Sequence, residues 1–290
     1  MSNIYKIFFI TFLTALTACD LINPAEAIPS YIYVTDFQLN TTATQGTNSN
    51  KITDVWVTIG DEFIGVFPIP ALIPMLTNGE QTITLEAGIK DNGISSTGKI
   101  YPFYTSFQTK VALNPSEVDT LRPVIGYRGE TRFAFIEDLE RGTPIFGDLI
   151  AGNDANRIQI TKENAFEGNS ALITLDKNNP TVVLGTVNKY GNLTTKNVNV
   201  YLELNYKSDA DVIFGVIGYK SGVKGETLYE PGFVARADWN KIYFNMSPLV
   251  VGTRYDEFQI VLQSILPLQN NVFTKDKASI WLDNIKLVHF

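Results

Sequence analysis

The sequence is poor in the residues on which many active sites depend. Its 290 residues include one cysteine and one histidine, which excludes an internal disulfide and a zinc site built on several thiolates. Basic residues are also scarce, since 23 Lys and Arg stand against 30 Asp and Glu, a formal net charge of -7. Nucleic-acid binding needs a basic surface, so this balance predicts no nucleic-acid partner.

Long hydrophobic runs are missing as well, and the one short run lies near the start. An apolar stretch at 7–16 follows the single charge of Lys6. Its length is typical of the h-region of a signal peptide and too short to span a bilayer. No later segment approaches 18 consecutive apolar residues. The stretch ends in Leu-Thr-Ala-Cys at 16–19, with the only cysteine in last place.

This ending resembles the lipobox of bacterial lipoproteins, and the style of the chain resembles that of Bacteroidota. The resemblance implies a signal peptide at 1–18, an acylated Cys19, a tether at 19–28 and a mature chain of 272 residues (290 minus 18). The alternative is an ordinary signal peptide with a chance cysteine. We expect an outer-membrane lipoprotein that faces the periplasm. Surface display is the alternative, although only one acidic residue, Asp20, follows the cysteine directly.

The chain beyond residue 28 is predicted to be all-β. No segment sustains a 3.6-residue apolar period, whereas short runs rich in Val, Ile, Tyr, Phe and Thr recur between Gly, Asn, Asp and Pro. This pattern predicts two β-sandwich domains. A short helix or a turn is predicted at Asn164–Glu167. The clearest predicted strands are Tyr31–Phe37, Val55–Ile59, Gln81–Leu85, Thr109–Leu113, Val198–Tyr206, Val212–Tyr219, Lys241–Asn245, Phe258–Ile265 and Ser279–Val288.

A polar stretch with two glycines at 126–132 predicts the domain boundary, giving domains at 29–126 and 131–290. In the first domain, a strand, a Gly60-Asp61 turn and a second strand predict a hairpin. This layout resembles the PEGA-type β-sandwiches of bacterial envelope proteins, which implies a structural or adhesive role. An aromatic cluster at 101–104 either forms a contact surface or roofs the core of the sandwich.

Three segments of the second domain, at 132–140, 158–175 and 278–287, resemble in their order the galactose-binding-like jelly rolls of carbohydrate-binding proteins. The C-terminal domain is therefore expected to be jelly-roll-like. The resemblance implies a structural Ca²⁺ held by Glu137 and Asp283. Carboxylate and carbonyl oxygens suit that ion. The alternative is a solvent-facing Glu137 and an Asp283 that accepts hydrogen bonds from backbone N–H groups.

A sugar site in this domain would use exposed aromatic and polar side chains. Our candidate ligand-binding residues are Tyr190, Tyr219, Tyr229, Arg236 and Trp239. Trp56 and Trp281 are flanked by apolar residues and are expected in the cores.

Catalysis is not expected. His289 is the penultimate residue, and no Gly-x-Ser-x-Gly motif accompanies it. The sequence thus predicts a non-enzymatic, lipid-anchored envelope protein that acts as a binding or scaffold module with a protein partner. A glycan-binding lipoprotein of a polysaccharide-uptake system is the alternative, and a glycan hydrolase is a weaker one.

Overall fold

The computed structural model describes residues 28–194 and 198–290. The predicted signal peptide, Cys19 and all of the predicted tether except its last residue lie outside the described residues. The described chain is almost entirely β and forms two β-sandwiches in sequence order, which confirms the predicted fold class. Within the described ranges, no helix is long and apolar enough to cross a membrane.

The first sandwich packs two layers of strands against each other. One layer is the sheet β5-β1-β9, continued by the pair β2–β10, and the other is β4-β3-β6, with β7 and β8 also paired to β6. The strands are β1 Ser30–Val34, β2 Gln38–Asn40, β3 Asp54–Ile59, β4 Glu62–Pro68, β5 Ala71–Met75, β6 Gly79–Lys90, β7 Gly98–Ile100, β8 Phe107–Leu113, β9 Val118–Leu121 and β10 Val124–Gly126.

Alternation along each strand builds the first core. Ile32 and Val34 of β1 are fully buried, whereas Tyr33 between them is 36% exposed. Gly60 and Asp61 form the predicted hairpin turn, since Ile59 pairs with Glu62 across it. The prolines Pro68 and Pro74 lie in β4 and β5, both at sheet edges, where a missing N–H disrupts no ladder.

The second sandwich is a jelly roll of two antiparallel sheets. Sheet I has the order β13-β14-β24-β17-β20, with β11 beside the end of β24, and sheet II has the order β12-β15-β21-β18-β19, with β16 beside β21. The strands are β11 Arg132–Glu137, β12 Asp148–Ala151, β13 Gln159–Thr161, β14 Ser170–Asp176, β15 Thr181–Gly185, β16 Tyr190–Gly191, β17 Val200–Ser208, β18 Val212–Lys220, β19 Val223–Phe233, β20 Arg236–Asn245, β21 Glu257–Ile265, β22 Leu268–Gln269, β23 Val272–Phe273 and β24 Lys277–His289.

Helical structure in the described chain is limited to two short pieces. A single helical turn, α1, spans Ser247–Val250, and a 3₁₀ turn spans Asp154–Asn156. The predicted element at Asn164–Glu167 is a turn and not a helix.

The aromatic cluster of the first sandwich contacts the second. Tyr101 is fully buried, and its ring centroid lies 5.3 Å from that of Tyr201 and 4.8 Å from that of Tyr243, both in sheet I. Phe103 and Tyr104 are buried with it. The cluster therefore roofs the first core and also serves as a contact surface, whose partner is the chain's own jelly roll.

A charged network is buried at this contact. The carboxylate of Glu203 accepts hydrogen bonds from the hydroxyls of Tyr101 at 2.7 Å and Tyr127 at 2.9 Å, and Lys241 Nζ lies 3.4 Å from it. Lys286 Nζ donates to the carbonyl of Thr47 at 2.8 Å. Buried charges are tolerated when they are paired and hydrogen-bonded, so the network requires both sandwiches in place.

Candidate functional site

The five candidate ligand-binding residues lie in three separate places. Tyr190 of β16 packs against the jelly-roll core, with its ring centroid 5.1 Å from that of Phe135. Burial raises the pKa of Tyr190 to about 12. Its ring therefore serves packing, which leaves two surface regions for a ligand.

Tyr219 and Tyr229 lie together on the outer face of sheet II. They cover a small apolar cluster that includes Ile217 and Val261. The Tyr219 hydroxyl donates to Gln259 Oε1 at 3.0 Å, and Lys189 Nζ lies 3.8 Å from the centroid of the Tyr219 ring. With its hydroxyl bonded, one face under a cation and only 9% of it exposed, Tyr219 offers little surface to a ligand.

A groove at one end of sheet II was not predicted from the sequence. Two adjoining cavities of about 320 and 410 Å³ share Asp211 and Ile265 in their walls. Ile213, Val234 and Leu268 line them and are 38–69% exposed. The groove is therefore mainly aliphatic and has no aromatic platform at its rim.

Trp239 lies on the outer face of sheet I, together with Trp281. Trp281 sits between Ile280 and Leu282, which are fully buried in the core, so alternation turns its indole outward. The expectation that Trp281 is a core residue is wrong. It is also wrong for Trp56, which lies between buried Val55 and Val57 and is itself half-buried on the outer side.

The tryptophan face, as we call this region, is a row across neighbouring strands of sheet I. Register places Leu172 beside Trp281 and Trp281 beside Lys207, and Trp239 follows on β20, the next strand after β17. All four side chains are partly exposed. Because β24 and β20 are two strand spacings apart, the two indoles stand about 10 Å apart across the sheet.

Local contacts hold both indoles in place. The Trp239 Nε1–H donates to the carbonyl oxygen of Asn164 at 3.0 Å, and the Phe166 ring lies 5.5 Å away at 60°. Lys207 Nζ lies 5.3 Å from the Trp281 ring centroid, a cation–π distance. Aromatic platforms fixed in this way lose little conformational entropy when a ligand binds.

Polar side chains flank Trp239 on the same strand. Arg236 is exposed, and Lys51 Nζ donates to Asn240 Oδ1 at 2.6 Å. Burial, and then the positive charge of Arg236, lower the pKa of Lys51. Register pairs Asn240 with core residue Tyr206 and Arg236 with Ser208, so alternation turns both side chains away from Trp239. The polar group in the row of the two indoles is Lys207.

The two proposed calcium ligands have separate surroundings. Glu137 pairs across the ladder with core residue Ile285 and so points inward, and its carboxylate accepts from the backbone N–H groups of Leu139 and Ile145. Asp283 follows core residue Leu282 and so points outward. The two carboxylates leave sheet I on opposite faces and do not converge on one ion.

Asp283 is satisfied by protein donors. It accepts hydrogen bonds from Ser170 Oγ at 2.7 Å and from the backbone N–H groups of Glu167 and Asn284, although burial raises its pKa to about 6. In the described part of the chain, no group of three or more His, Cys, Asp or Glu side chains is arranged to hold a metal ion. Calcium binding stays a prediction, which a thermal melt with and without chelator tests.

Comparisons with known proteins find structural likeness only. No family model matches the chain, and no curated protein matches it. Among solved structures, this chain is similar to one described as the structural basis for the promiscuous specificity of carbohydrate-binding modules from the β-sandwich superfamily. The two share 18% sequence identity with a TM-score of 0.37, and the match covers 90% of this chain and 97% of the other.

Two further solved structures match about half of the chain. One is a family 30 carbohydrate-binding module of a Clostridium thermocellum cellulosomal cellulase, with 12% identity, a TM-score of 0.39 and coverage of 54% and 96%. The other is a family 29 carbohydrate-binding module from Piromyces equi, with 16% identity, a TM-score of 0.33 and coverage of 55% and 90%. These neighbours are β-sandwich jelly rolls, and at such TM-scores they say nothing about where a ligand binds.

Proposed function

We propose that this protein is a non-enzymatic, glycan-binding lipoprotein that holds sugar chains on its tryptophan face. The single observation that carries this proposal is the pair of fixed, partly exposed indoles of Trp239 and Trp281 on the outer face of one sheet. The apolar faces of sugar rings stack on aromatic faces, and the hydroxyls around them need polar partners. Lys207, which lies between the two indoles in the row, supplies such a partner.

The tryptophan face suits a glycan better than the outer face of sheet II. Tyr219 is covered and hydrogen-bonded there, whereas both indoles of the tryptophan face are open to solvent on one side. A platform about 10 Å long also fits an extended chain of sugars better than a single small molecule. The proposal keeps Trp239 from the candidates of the sequence and adds Trp281 and Lys207.

The test is binding of the mature chain to a panel of polysaccharides, followed by calorimetry on any that bind. We expect Trp281→Ala and Trp239→Ala each to weaken binding at least tenfold, which corresponds to about 1.4 kcal/mol. Trp56→Ala is the matched control, since Trp56 is a half-buried, outward-facing tryptophan on the first sandwich. Unchanged affinity in both site variants would refute the proposal.

The lipid anchor at Cys19 belongs to the same proposal and is supported by the lipobox resemblance. We expect radiolabelled palmitate to be incorporated into the wild-type chain and not into Cys19→Ser. Protease treatment of intact cells tests the side of the outer membrane. Survival of the chain is expected for a protein that faces the periplasm, and digestion would show surface display.

A protein-binding scaffold is the second candidate function, and the groove at the end of sheet II favours it. Exposed Ile213, Val234, Ile265 and Leu268 form an aliphatic surface of the kind that marks protein contacts. Isolation of a stable envelope partner that is lost in Ile265→Asp, with no glycan retained by the wild-type chain, would favour this function over the first.

A further inference from the structure

The outer face of the sheet β5-β1-β9 is apolar and is left partly exposed by the described part of the chain. Its side chains are those that alternation turns away from the first core. We call this region the β1 face, and it comprises Tyr31, Tyr33, Leu72, Pro74, Val118 and Thr120. None of these residues is charged, although 53 of the 290 residues of the chain are Lys, Arg, Asp or Glu (23 plus 30).

The most exposed apolar side chains gather at one end of the β1 face. Ser30 pairs with Met75, and Tyr31 pairs with Val118, so the start of β1, the end of β5 and the start of β9 lie together. Leu76 follows β5 and is 70% exposed, and Val118 is 54% exposed. Exposed apolar patches of this kind mark contact sites.

That same end is where the chain arrives from its anchor. Ile28, two residues before β1, is 62% exposed. Cys19 and Ser30 are eleven residues apart in sequence, so a fully extended connection would span at most about 40 Å. Any membrane that holds acyl chains on Cys19 is therefore within reach of this end of the first sandwich.

We propose that the β1 face rests on the lipid bilayer as a second, non-covalent contact beside the acylated cysteine. This inference depends on the lipid anchor of the proposed function and not on glycan binding. Tyrosine side chains favour the boundary between headgroups and hydrocarbon, because each ring has an apolar body and a polar tip. Leu76, Val118 and Ile28 supply the apolar insertion.

The charge distribution favours a bilayer over the other occupants of such a face. An acidic protein is repelled by anionic headgroups wherever its own carboxylates approach them, and the β1 face is a surface without them. The carboxylate of Glu117, in the turn before β9, accepts a hydrogen bond from Asn114 Nδ2 at 2.9 Å.

The single cysteine makes a site-specific test possible. Acylation blocks Cys19, so Leu76→Cys provides the one free thiol for an environment-sensitive dye in the lipidated full-length mature protein. Phe63→Cys is the matched control, because Phe63 is 55% exposed on β4, in the other layer of the same sandwich. Both proteins are reconstituted into phosphatidylethanolamine–phosphatidylglycerol vesicles, with and without spin-labelled lipid.

We expect the dye at position 76 to shift to shorter wavelength and to be quenched by spin-labelled lipid at least threefold more strongly than the dye at position 63. Leu72→Cys is expected to behave like Leu76→Cys. Equal spectra and equal quenching at positions 76 and 63 would overturn the proposal. A shift to shorter wavelength at position 76 that persists without lipid and grows with protein concentration would also overturn it, because it would indicate contact with a second copy of the chain. A protein that fails to enter the vesicle fraction, and carries no palmitate, would instead refute the anchor itself.

Discussion

The outer face of sheet I has two halves that share the same types of residue and differ in how far the rest of the chain covers them. The interface half, which comprises Tyr201, Glu203, Lys241, Tyr243 and Lys286, is covered by the first sandwich. The tryptophan face continues the same strands and stays partly exposed, although Asn164 and Phe166 pack against Trp239. Both halves combine aromatic rings with lysines. The difference is that the first sandwich buries the rings and lysines of the interface half, whereas those of the tryptophan face keep contact with solvent.

The comparison shows what burial does to identical groups. Lys241 and Lys286 are buried at the interface and need Glu203 and backbone oxygens to offset the loss of water. Lys207, on the tryptophan face, lies near an indole and keeps its access to solvent. Substitutions in the interface half should therefore change stability, and substitutions on the tryptophan face should change binding.

The largest expected effect comes from Glu203→Gln. The variant keeps the shape of the side chain and removes the negative charge, which leaves Lys241 and Lys286 buried without a counter-ion. We expect a loss of about 3–5 kcal/mol in the free energy of unfolding, measured by urea denaturation. Lys207→Gln is the control and should stay within about 0.5 kcal/mol of wild type. Similar losses in the two variants would contradict the claim that charge matters for stability in the interface half and not on the tryptophan face.

Tyr101→Phe should have the next largest effect. It removes the hydroxyl that donates to Glu203 at 2.7 Å and leaves the ring packing in place. A hydrogen bond to a buried carboxylate contributes about 2 kcal/mol, and that loss is expected in the same denaturation experiment. Tyr33→Phe, on the β1 face, should be nearly neutral. A neutral Tyr101→Phe would show that the Glu203 carboxylate is satisfied without this donor.

A pH effect is expected from Lys286. Burial lowers the pKa of Lys286 to about 8, against a usual value of 10.5. The folded chain therefore releases this proton at a lower pH than the unfolded chain does, and stability should rise with pH above 8. We expect a gain of about 1 kcal/mol between pH 8 and pH 9.

Lys286→Met is the variant that assigns this pH effect. Its stability should rise less with pH over the same interval, because the ammonium of Lys286 is gone and Lys241, whose pKa burial also lowers, is the buried lysine that remains to lose a proton. The tyrosines of the interface do not confuse the measurement, since burial raises the pKa of Tyr101 and Tyr127 well above 10. An identical rise in Lys286→Met would assign the effect to another group.

A smaller loss of stability is expected from Trp281→Ala than from Glu203→Gln. The indole is partly exposed on the outer face of the sheet, with Lys207 Nζ 5.3 Å from its ring centroid, so its removal should cost at most about 2 kcal/mol. Urea denaturation of this variant beside Trp56→Ala checks the expectation. A loss comparable to that of Glu203→Gln would mean that Trp281 is structural and would weaken the case for a binding face.

Strand positions could be predicted from the sequence because each depends on a local pattern. The runs in β17, β18, β21 and β24 were predicted within a few residues, since branched and aromatic residues between turn-forming residues favour strands. The face of the sheet to which each side chain points is harder to predict. Ile280, Trp281 and Leu282 are all apolar, and only strict alternation shows that the middle one points outward.

The interface could not be predicted, for a physical reason. Glu203, Lys241 and Lys286 have the composition of solvated strand residues, and only the approach of the first sandwich buries them. The same limit applies to the binding region. Trp239 is a candidate from sequence, but its neighbours Lys207 and Trp281 lie 32 and 42 positions away in the chain (239 minus 207, and 281 minus 239), and their register is a property of the folded sheet.

The most direct test of the binding face is a fluorescence titration of Trp56→Phe with a polysaccharide that calorimetry shows to bind. The two remaining tryptophans of this variant, Trp239 and Trp281, both lie on the tryptophan face, so all indole emission reports on the proposed site. We predict a saturable blue shift whose midpoint equals the calorimetric dissociation constant. Binding by calorimetry with no change in tryptophan emission would contradict this account, because the glycan would then lie elsewhere on the molecule.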